Sequence, residues 1–399
     1  MVKYLPRRAE AEVERWVKRG KSVVLVGPRQ AGKTTLLKHL AEKHGWTYLT
    51  LDDAEARSML ENVKDFARMF EGDIILLDEG QYDEEIGKKL KYLYDVEGKL
   101  FVVSGSGSFD VKVKVSGELV GRAARVVLLP LDFLEFVTWK ARKDVDLYRE
   151  CREAVYNILA GKDDEPPVEH IPSIATLWRE YVVFGGYPEV VLEKDYHVKE
   201  ERIEQILSAY IDRDILGFLG VREYEKFRRV MEYLARIVST PLGKSALARF
   251  AGASYQTVEG YISLLMLTYV IFPVYALPLF ASSIRKAPKM YFYDMGVRNE
   301  LVGDFRLYSQ RLDQGALLEN FVARHLHQHF GKVYYHRTKV GGEVDFVVGH
   351  VPVEVKTSGR TTRSLSNVAE RLEAPHKVVV HEAPFKREGD TYYIPPWFF

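Results

Sequence analysis

The alternation of apolar and polar positions divides the chain into short strands set between helices. Ser22–Val26 is apolar after its first residue, and Ile74-Ile-Leu-Leu77 and Leu100-Phe-Val-Val103 repeat the form. Short apolar runs bounded by polar residues predict strands buried on both faces, as in a parallel sheet. Residues 46–51 predict another strand. Residues 10–18 and 35–44 have helical spacing, and Asp52-Asp53 ahead of Ala54 reads as a helix cap. From Asp132 to about Arg236 the spacing is mostly helical. Asp163-Asp-Glu-Pro-Pro interrupts it, as does Gly185-Gly186-Tyr-Pro188, a tight turn expected to fix the chain over the first domain. Residues 243–250 and 255–267 then predict two helices joined by a short turn, and 269–275 and 289–293 predict two strands, the order of a helix-turn-helix with a wing. Beyond it come a helix from Gly315 and strands starting at Lys332, Glu343 and Val351.

The first strand ends in Gly27-Pro28-Arg29-Gln30-Ala31-Gly32-Lys33-Thr34-Thr35, the full phosphate-binding P-loop pattern in its strand–loop–helix setting. Glycines let backbone amides turn toward phosphate oxygens, and Lys33 supplies a cation for the β- and γ-phosphates. Thr34 supplies a hydroxyl for Mg²⁺, and the following helix presents its N-terminus. Gly27, Pro28, Arg29, Gln30, Ala31, Gly32, Lys33, Thr34 and Thr35 are therefore the expected ATP/ADP-binding residues. The strand at 74–77 ends in Asp78-Glu79, where a carboxylate for Mg²⁺ and one to polarise the attacking water are expected. This pair suits water as acceptor better than the small acceptor of a metabolic kinase. Ser104 or Ser106 is a candidate γ-phosphate sensor, with a plain Gly/Ser loop as the alternative. Arg122, after Gly121, reads as a phosphate-contacting catalytic arginine, in cis or across a subunit boundary, or as a surface salt bridge. Arg213 in Tyr210-Ile-Asp-Arg-Asp214 is a weaker candidate for reaching nucleotide.

In the last hundred residues, strand alternation sets Glu354 and Lys356 on one face, with Asp345 on an adjacent antiparallel strand. Carboxylates of Asp345 and Glu354 are hard ligands for Mg²⁺, and Glu319 on the preceding helix is expected to complete the set. Lys356 would orient or deprotonate an attacking water, with Glu354 and Lys356 as the catalytic pair. The alternative is an ion-pair network with no metal.

GPRQAGKTT, LLDEGQ at 76–81, SGSGS at 104–108, GR at 121–122 and LPLDFLEF at 129–136 resemble one group of prokaryotic, archaeal-type AAA ATPases. GGYPEVV at 185–191, YIDRDI at 210–215, KMYFYDMG at 289–296 and EVDFVV…VEVK at 343–356 extend the resemblance over nearly the whole chain. The C-terminal part resembles the PD-(D/E)xK restriction-endonuclease-like fold. The resemblance implies an α/β P-loop ATPase core with a parallel sheet, a helical lid and winged-helix middle, and a C-terminal α/β restriction-endonuclease-like domain. The expected divisions are 1–137, 138–236, 237–296 and 297–399. Gly80 departs from the group, which more often has a bulky apolar residue there, and is expected to loosen packing.

The 57 basic and 56 acidic residues leave a net charge of +1, so any nucleic-acid surface must be local. Lys244, Arg249, Arg285, Lys286 and Lys289 near the helix pair, and Arg360 and Arg363, are the candidates for phosphate contacts. One cysteine, Cys151, excludes an intramolecular disulfide framework and a thiolate zinc cluster. Neither a signal peptide nor a membrane-spanning run is evident, and a cytoplasmic protein is expected. Scarce Asn and Gln beside abundant Glu, Lys and Arg suggest a thermophile, which a mesophilic melting temperature would contradict. Two functional expectations follow. The first is an ATP-hydrolysing protein acting on DNA, with a metal-dependent nuclease-like domain. The second is a nucleotide-controlled switch or assembly protein whose C-terminal parts bind a protein partner or another copy without cleavage.

Overall fold

The computed structural model describes residues 4–70, 72–107, 109, 117–218, 223–277, 286–337, 342–357 and 362–399. The apolar runs near the N-terminus form five parallel strands: β1 (Ser22–Val26), β2 (Thr47–Thr50), β3 (Ile74–Asp78), β4 (Leu100–Gly105) and β5 (Ala123–Val127). They lie in the order β2-β3-β4-β1-β5. Val23 to Val26 are buried because both faces are covered. Leu36, Leu37 and Leu40 of the helix Lys33–His44 pack on one face, and Phe66, Leu90 and Leu93 on the other. Register sets Leu25 beside Ser104 and Leu77 beside Val103, so the P-loop, Asp78 and Ser104 meet at one carboxyl edge.

A second sheet has eight strands in the order β12-β13-β11-β10-β9-β8-β6-β7. Its members are β6 (Ile271–Ala276), β7 (Lys289–Phe292), β8 (Tyr334–Arg337), β9 (Glu343–Val348), β10 (Val351–Val355), β11 (Lys377–Val380), β12 (Lys386–Glu388) and β13 (Thr391–Ile394). The helices Lys244–Ala251 and Tyr255–Leu267 precede the β6–β7 hairpin, the order expected of a helix pair with a wing. The hairpin does not stand apart, because β6 pairs in parallel with β8. The sheet thus crosses the division expected between 296 and 297. A single apolar core joins the helical middle to this sheet, with Trp178 packed edge-on against Tyr308 and Phe321. No helix among the described residues is long and apolar enough to cross a membrane.

Candidate functional site

The P-loop connects β1 to the helix Lys33–His44. Gly27 has φ +153°, and a Cβ there would lie 2.0 Å from the Leu128 carbonyl oxygen, so only glycine fits. The Lys33 ammonium donates to the carbonyls of Gly27 (3.0 Å) and Pro28 (2.8 Å). Burial lowers its pKa, while the carboxylates of Glu79, Asp214 and Asp78 oppose that shift. Asp78 is buried at the end of β3 and accepts from the Tyr48 hydroxyl (3.0 Å), the Glu79 amide (3.1 Å) and the Ser104 hydroxyl. Ser104, a sensor candidate, is thus a support for Asp78, whereas Ser106 faces the cavity. Glu79 has the left-handed φ of +57°, a costly conformation for this residue type, and its carboxylate accepts from the Gln81 amide. Gly80 does not loosen the packing: a Cβ there would meet the Phe109 ring at 2.8 Å and Val103 at 2.9 Å.

A cavity of about 270 Å³ opens above the loop, lined by Arg29, Gln30, Gly32, Lys33, Thr34, Thr35, Glu79 and Ser106 from the first domain. Its other walls were not read from the sequence. Tyr4, Leu5 and Arg7 come from the N-terminal segment, and Pro188, Glu189 and Leu192 from the helix Pro188–Leu192. Arg7 donates to the Ala31 carbonyl (2.7 Å) and pairs with Glu135 (3.3 Å), holding the loop from outside. The Gly185-Gly186 turn ahead of Pro188 is held from two sides. The Gly186 amide donates to Asp294 (2.8 Å), and its carbonyl accepts from the Leu131 amide (2.7 Å). A Cβ on Gly185 would lie 2.2 Å from an Asp294 oxygen, and one on Gly186 2.1 Å from the Leu131 carbonyl. Arg324, fully buried, donates to the carbonyls of Pro130 (2.7 Å) and Leu131 (3.0 Å). Leu131, Gly185, Gly186 and Asp294, drawn from distant parts of the chain, therefore fasten this wall.

Arg122 does not reach the phosphate site of its own chain. It precedes β5, at the amino edge of a parallel sheet whose carboxyl edge carries the P-loop, about 16 Å away at ~3.3 Å per residue. Its guanidinium pairs with Asp95 (2.7 Å), the salt-bridge alternative. Arg213 is exposed, and it is Asp214 that faces the P-loop, pairing with Arg29 at 3.4 Å.

In the second sheet Val353 stands opposite Phe346, which sets Glu354 opposite Asp345 on antiparallel strands. Lys356 pairs with Glu354 (2.8 Å), and the Val355 amide donates to Asp345 (2.8 Å). Glu319 lies on the helix Gln314–Phe330. These residues come together as expected, but a lysine comes with them. Lys289, fully buried on β7, has its ammonium 2.5 Å from Glu343, 3.0 Å from Glu319 and 4.0 Å from Asp345. The Tyr291 hydroxyl donates to Glu319 (2.6 Å). Burial and the Asp345 charge push the Glu319 carboxyl up to about 8, against the pull of Lys289 and Tyr291. Burial raises Asp345, and burial with the Asp345 charge raises Glu354. The described residues contain no group of three or more His, Cys, Asp and Glu suited to hold a metal ion. Of the expected Mg²⁺ ligands, Glu319 is bonded to the Lys289 ammonium and Asp345 lies 4.0 Å from it, while Glu354 pairs with Lys356.

Lys289 is also lost as a phosphate contact. On the helix pair, Lys244 is tied to Glu259 (2.6 Å). Arg249, Tyr255 and Gln256 are exposed. Ser108, Arg285 and Arg360 lie outside the described residues.

Residues 19–137 match the family model of the AAA domain. The N-terminal part of the chain is a P-loop ATPase domain. Residues 175–307 match a domain of unknown function, DUF8612, and residues 314–397 another, DUF4143. The chain is similar to an uncharacterized protein of Methanocaldococcus jannaschii, 23% identical over 424 residues, covering 96% of this chain and 86% of the relative. An uncharacterized protein of Mycobacterium tuberculosis is 26% identical over 353 residues, covering 86% of this chain and 70% of the relative. Among solved structures, the Walker-type ATPase of Pyrococcus abyssi aligns with 14% identity and a TM-score of 0.48, over 75% of this chain and 96% of that one.

Proposed function

We propose that the protein is an ATP-hydrolysing switch, whose nucleotide pocket is shared between the ATPase domain and the helical middle, and that its C-terminal domain does not cleave nucleic acid. The observation that carries this reading is the cavity itself. Lys33, Thr34 and Glu79 line it from one side, and Pro188, Glu189 and Leu192 from the other, on a turn bonded to Asp294 and Leu131 of the common core. A ligand in such a pocket touches both parts, and so biases how they sit.

In this reading Lys33 leaves its two loop carbonyls for the β- and γ-phosphates. Thr34 and Asp78 would hold Mg²⁺, which neutralises charge on the transferred phosphoryl group. Glu79 orients the attacking water, and Gln81 sets the angle of its carboxylate. Against cleavage stands the buried Lys289 among the carboxylates that a metal would need. DNA is a partner class that the exposed Tyr255, Gln256 and Arg249 would suit; a protein partner or second copy is the other. The test is phosphate release and a Mg²⁺/Mn²⁺ nuclease assay on the same preparation. Hydrolysis abolished by Lys33→Ala is expected, with no cleavage above that of Glu354→Ala. Cleavage lost in both Glu354→Ala and Lys356→Ala would reverse the second half of the proposal. Salt-dependent binding to DNA separates the partner classes.

A further inference from the structure

Arg29 is the P-loop residue whose charge has two claimants. It lines the nucleotide cavity, yet its guanidinium points at Asp214, with Nε 3.4 Å from Oδ2 and Nη2 3.4 Å from Oδ1. Both contacts are longer than the 2.7–2.9 Å usual for charge-assisted pairs, so the fork is held loosely. Asp214 is 3% exposed at its side chain. It belongs to the segment Tyr210–Phe218, which is wound as a π-helix, a rare form frequent at functional sites.

We propose that Asp214 competes with a phosphate group of the bound nucleotide for Arg29, and so reports nucleotide occupancy to the helical middle. This inference rests on the P-loop binding nucleotide. A phosphate is the better partner for a guanidinium fork, and one fork edge serves one anion at a time. Once Arg29 turns to phosphate, Asp214 is a buried carboxylate without its counter-ion and beside a polyanion. That arrangement is costly enough to move the segment that carries it. The movement has somewhere to go. The Tyr210 hydroxyl bonds Thr268, which caps the helix Tyr255–Leu267 (2.6 Å). Gly107, beyond the Ser104–Ser106 loop, packs on the same Thr268, where a Cβ would lie 2.6 Å from its Cα. The π-helical segment and a loop of the nucleotide edge thus meet at the end of one helix.

The experiment is amide hydrogen exchange of the full chain, with and without Mg²⁺–ATPγS, read at Tyr210 to Ile215, alongside nucleotide affinity by fluorescence titration. In the wild type, ATPγS is expected to raise exchange at these amides at least tenfold. In Arg29→Gln they are expected to exchange fast in either condition, and in Asp214→Asn slowly in either, because no buried charge is left to move the segment. Asp214→Asn is expected to bind ATPγS about tenfold more tightly. If ATPγS protects these amides or leaves them unchanged, or if Asp214→Asn binds no more tightly, Asp214 is a buttress for Arg29 and the proposal fails. A wild type that binds no ATPγS, like Lys33→Ala, would instead overturn the nucleotide-binding reading itself. Melting curves identify an unfolded variant, and Arg29→Gln then carries the exchange test alone.

Discussion

Replacing Lys289 by methionine is the sharpest perturbation of the acidic centre. Methionine keeps the length and apolar stem of the side chain and removes the charge. Lys289 is wholly buried and bonds Glu319 and Glu343 directly; without it Glu343 keeps Arg337, but Glu319 is left buried without its ammonium. Breaking a buried pair by removing one partner costs about 3–5 kcal/mol. The shared core spans a domain of more than 200 residues, where 1 kcal/mol moves a melting temperature by about 2–4 °C. At pH 8 the variant is therefore expected to melt about 6–20 °C below the wild type. The loss must depend on pH. The Glu319 carboxyl titrates at about 8 in the folded chain, above its ordinary value of 4.5. The folded state holds a proton there that the unfolded state has released, so this contribution to stability is full below about 4.5 and gone above about 8. Without the ammonium the folded value rises further, so at pH 5.5 Glu319 is protonated in both proteins and offers no charge for the lysine to compensate. The melting difference should then shrink to less than half. The assay is differential scanning fluorimetry of both proteins at pH 5.5 and 8, repeated with millimolar Mn²⁺. A difference of equal size at both pH values would refute the charge argument. Mn²⁺ stabilisation of the wild type, lost in Glu319→Gln, would refute the proposal that Lys289 stands where a metal would bind.

Glu79→Gln should lower phosphate release at least about a hundredfold, the usual worth of a positioned base, while ATP binding by titration persists. Gly186→Ala should destabilise by about 1–3 kcal/mol, because its Cβ would lie 2.1 Å from the Leu131 carbonyl oxygen; the melting temperature reads it. Arg122→Ala should leave ATP affinity unchanged in dilute protein, since Arg122 is bound to Asp95 at the opposite edge of the sheet. The melting temperature should also hold, because exposed pairs contribute little.

The nucleotide pocket and the acidic centre differ in how much of them a sequence displays, for a physical reason. The P-loop is contiguous: one turn between strand and helix fixes the places of Gly27, Lys33 and Thr34, and β1 ends where its apolar run does. The walls contributed by Arg7 and Pro188 arrive through tertiary contacts, and no local pattern marks them. β5, with Arg125 inside it, carries a mixed pattern that periodicity does not resolve. Helical spacing also fails at Asp212-Arg213-Asp214, because the wider π turn rotates the faces and sends Asp214 toward Arg29. The acidic centre is drawn from a helix and three strands. Alternation is enough to pair Asp345 with Glu354, since β9 and β10 are joined by a short turn. It says nothing of Lys289, which is 56 residues upstream of Asp345 and has the composition of a surface cation. A signal was nevertheless present. Lys289 and Tyr291 are two apart on one strand and so share a face, and a lysine alternating with an aromatic in a strand otherwise apolar is badly placed unless acids meet it there. The acids that do so are the ones the metal reading had claimed. A cluster of carboxylates in a core identifies only the sign of its occupant. Whether that occupant is an ion or a lysine depends on which strand the fold lays beside it.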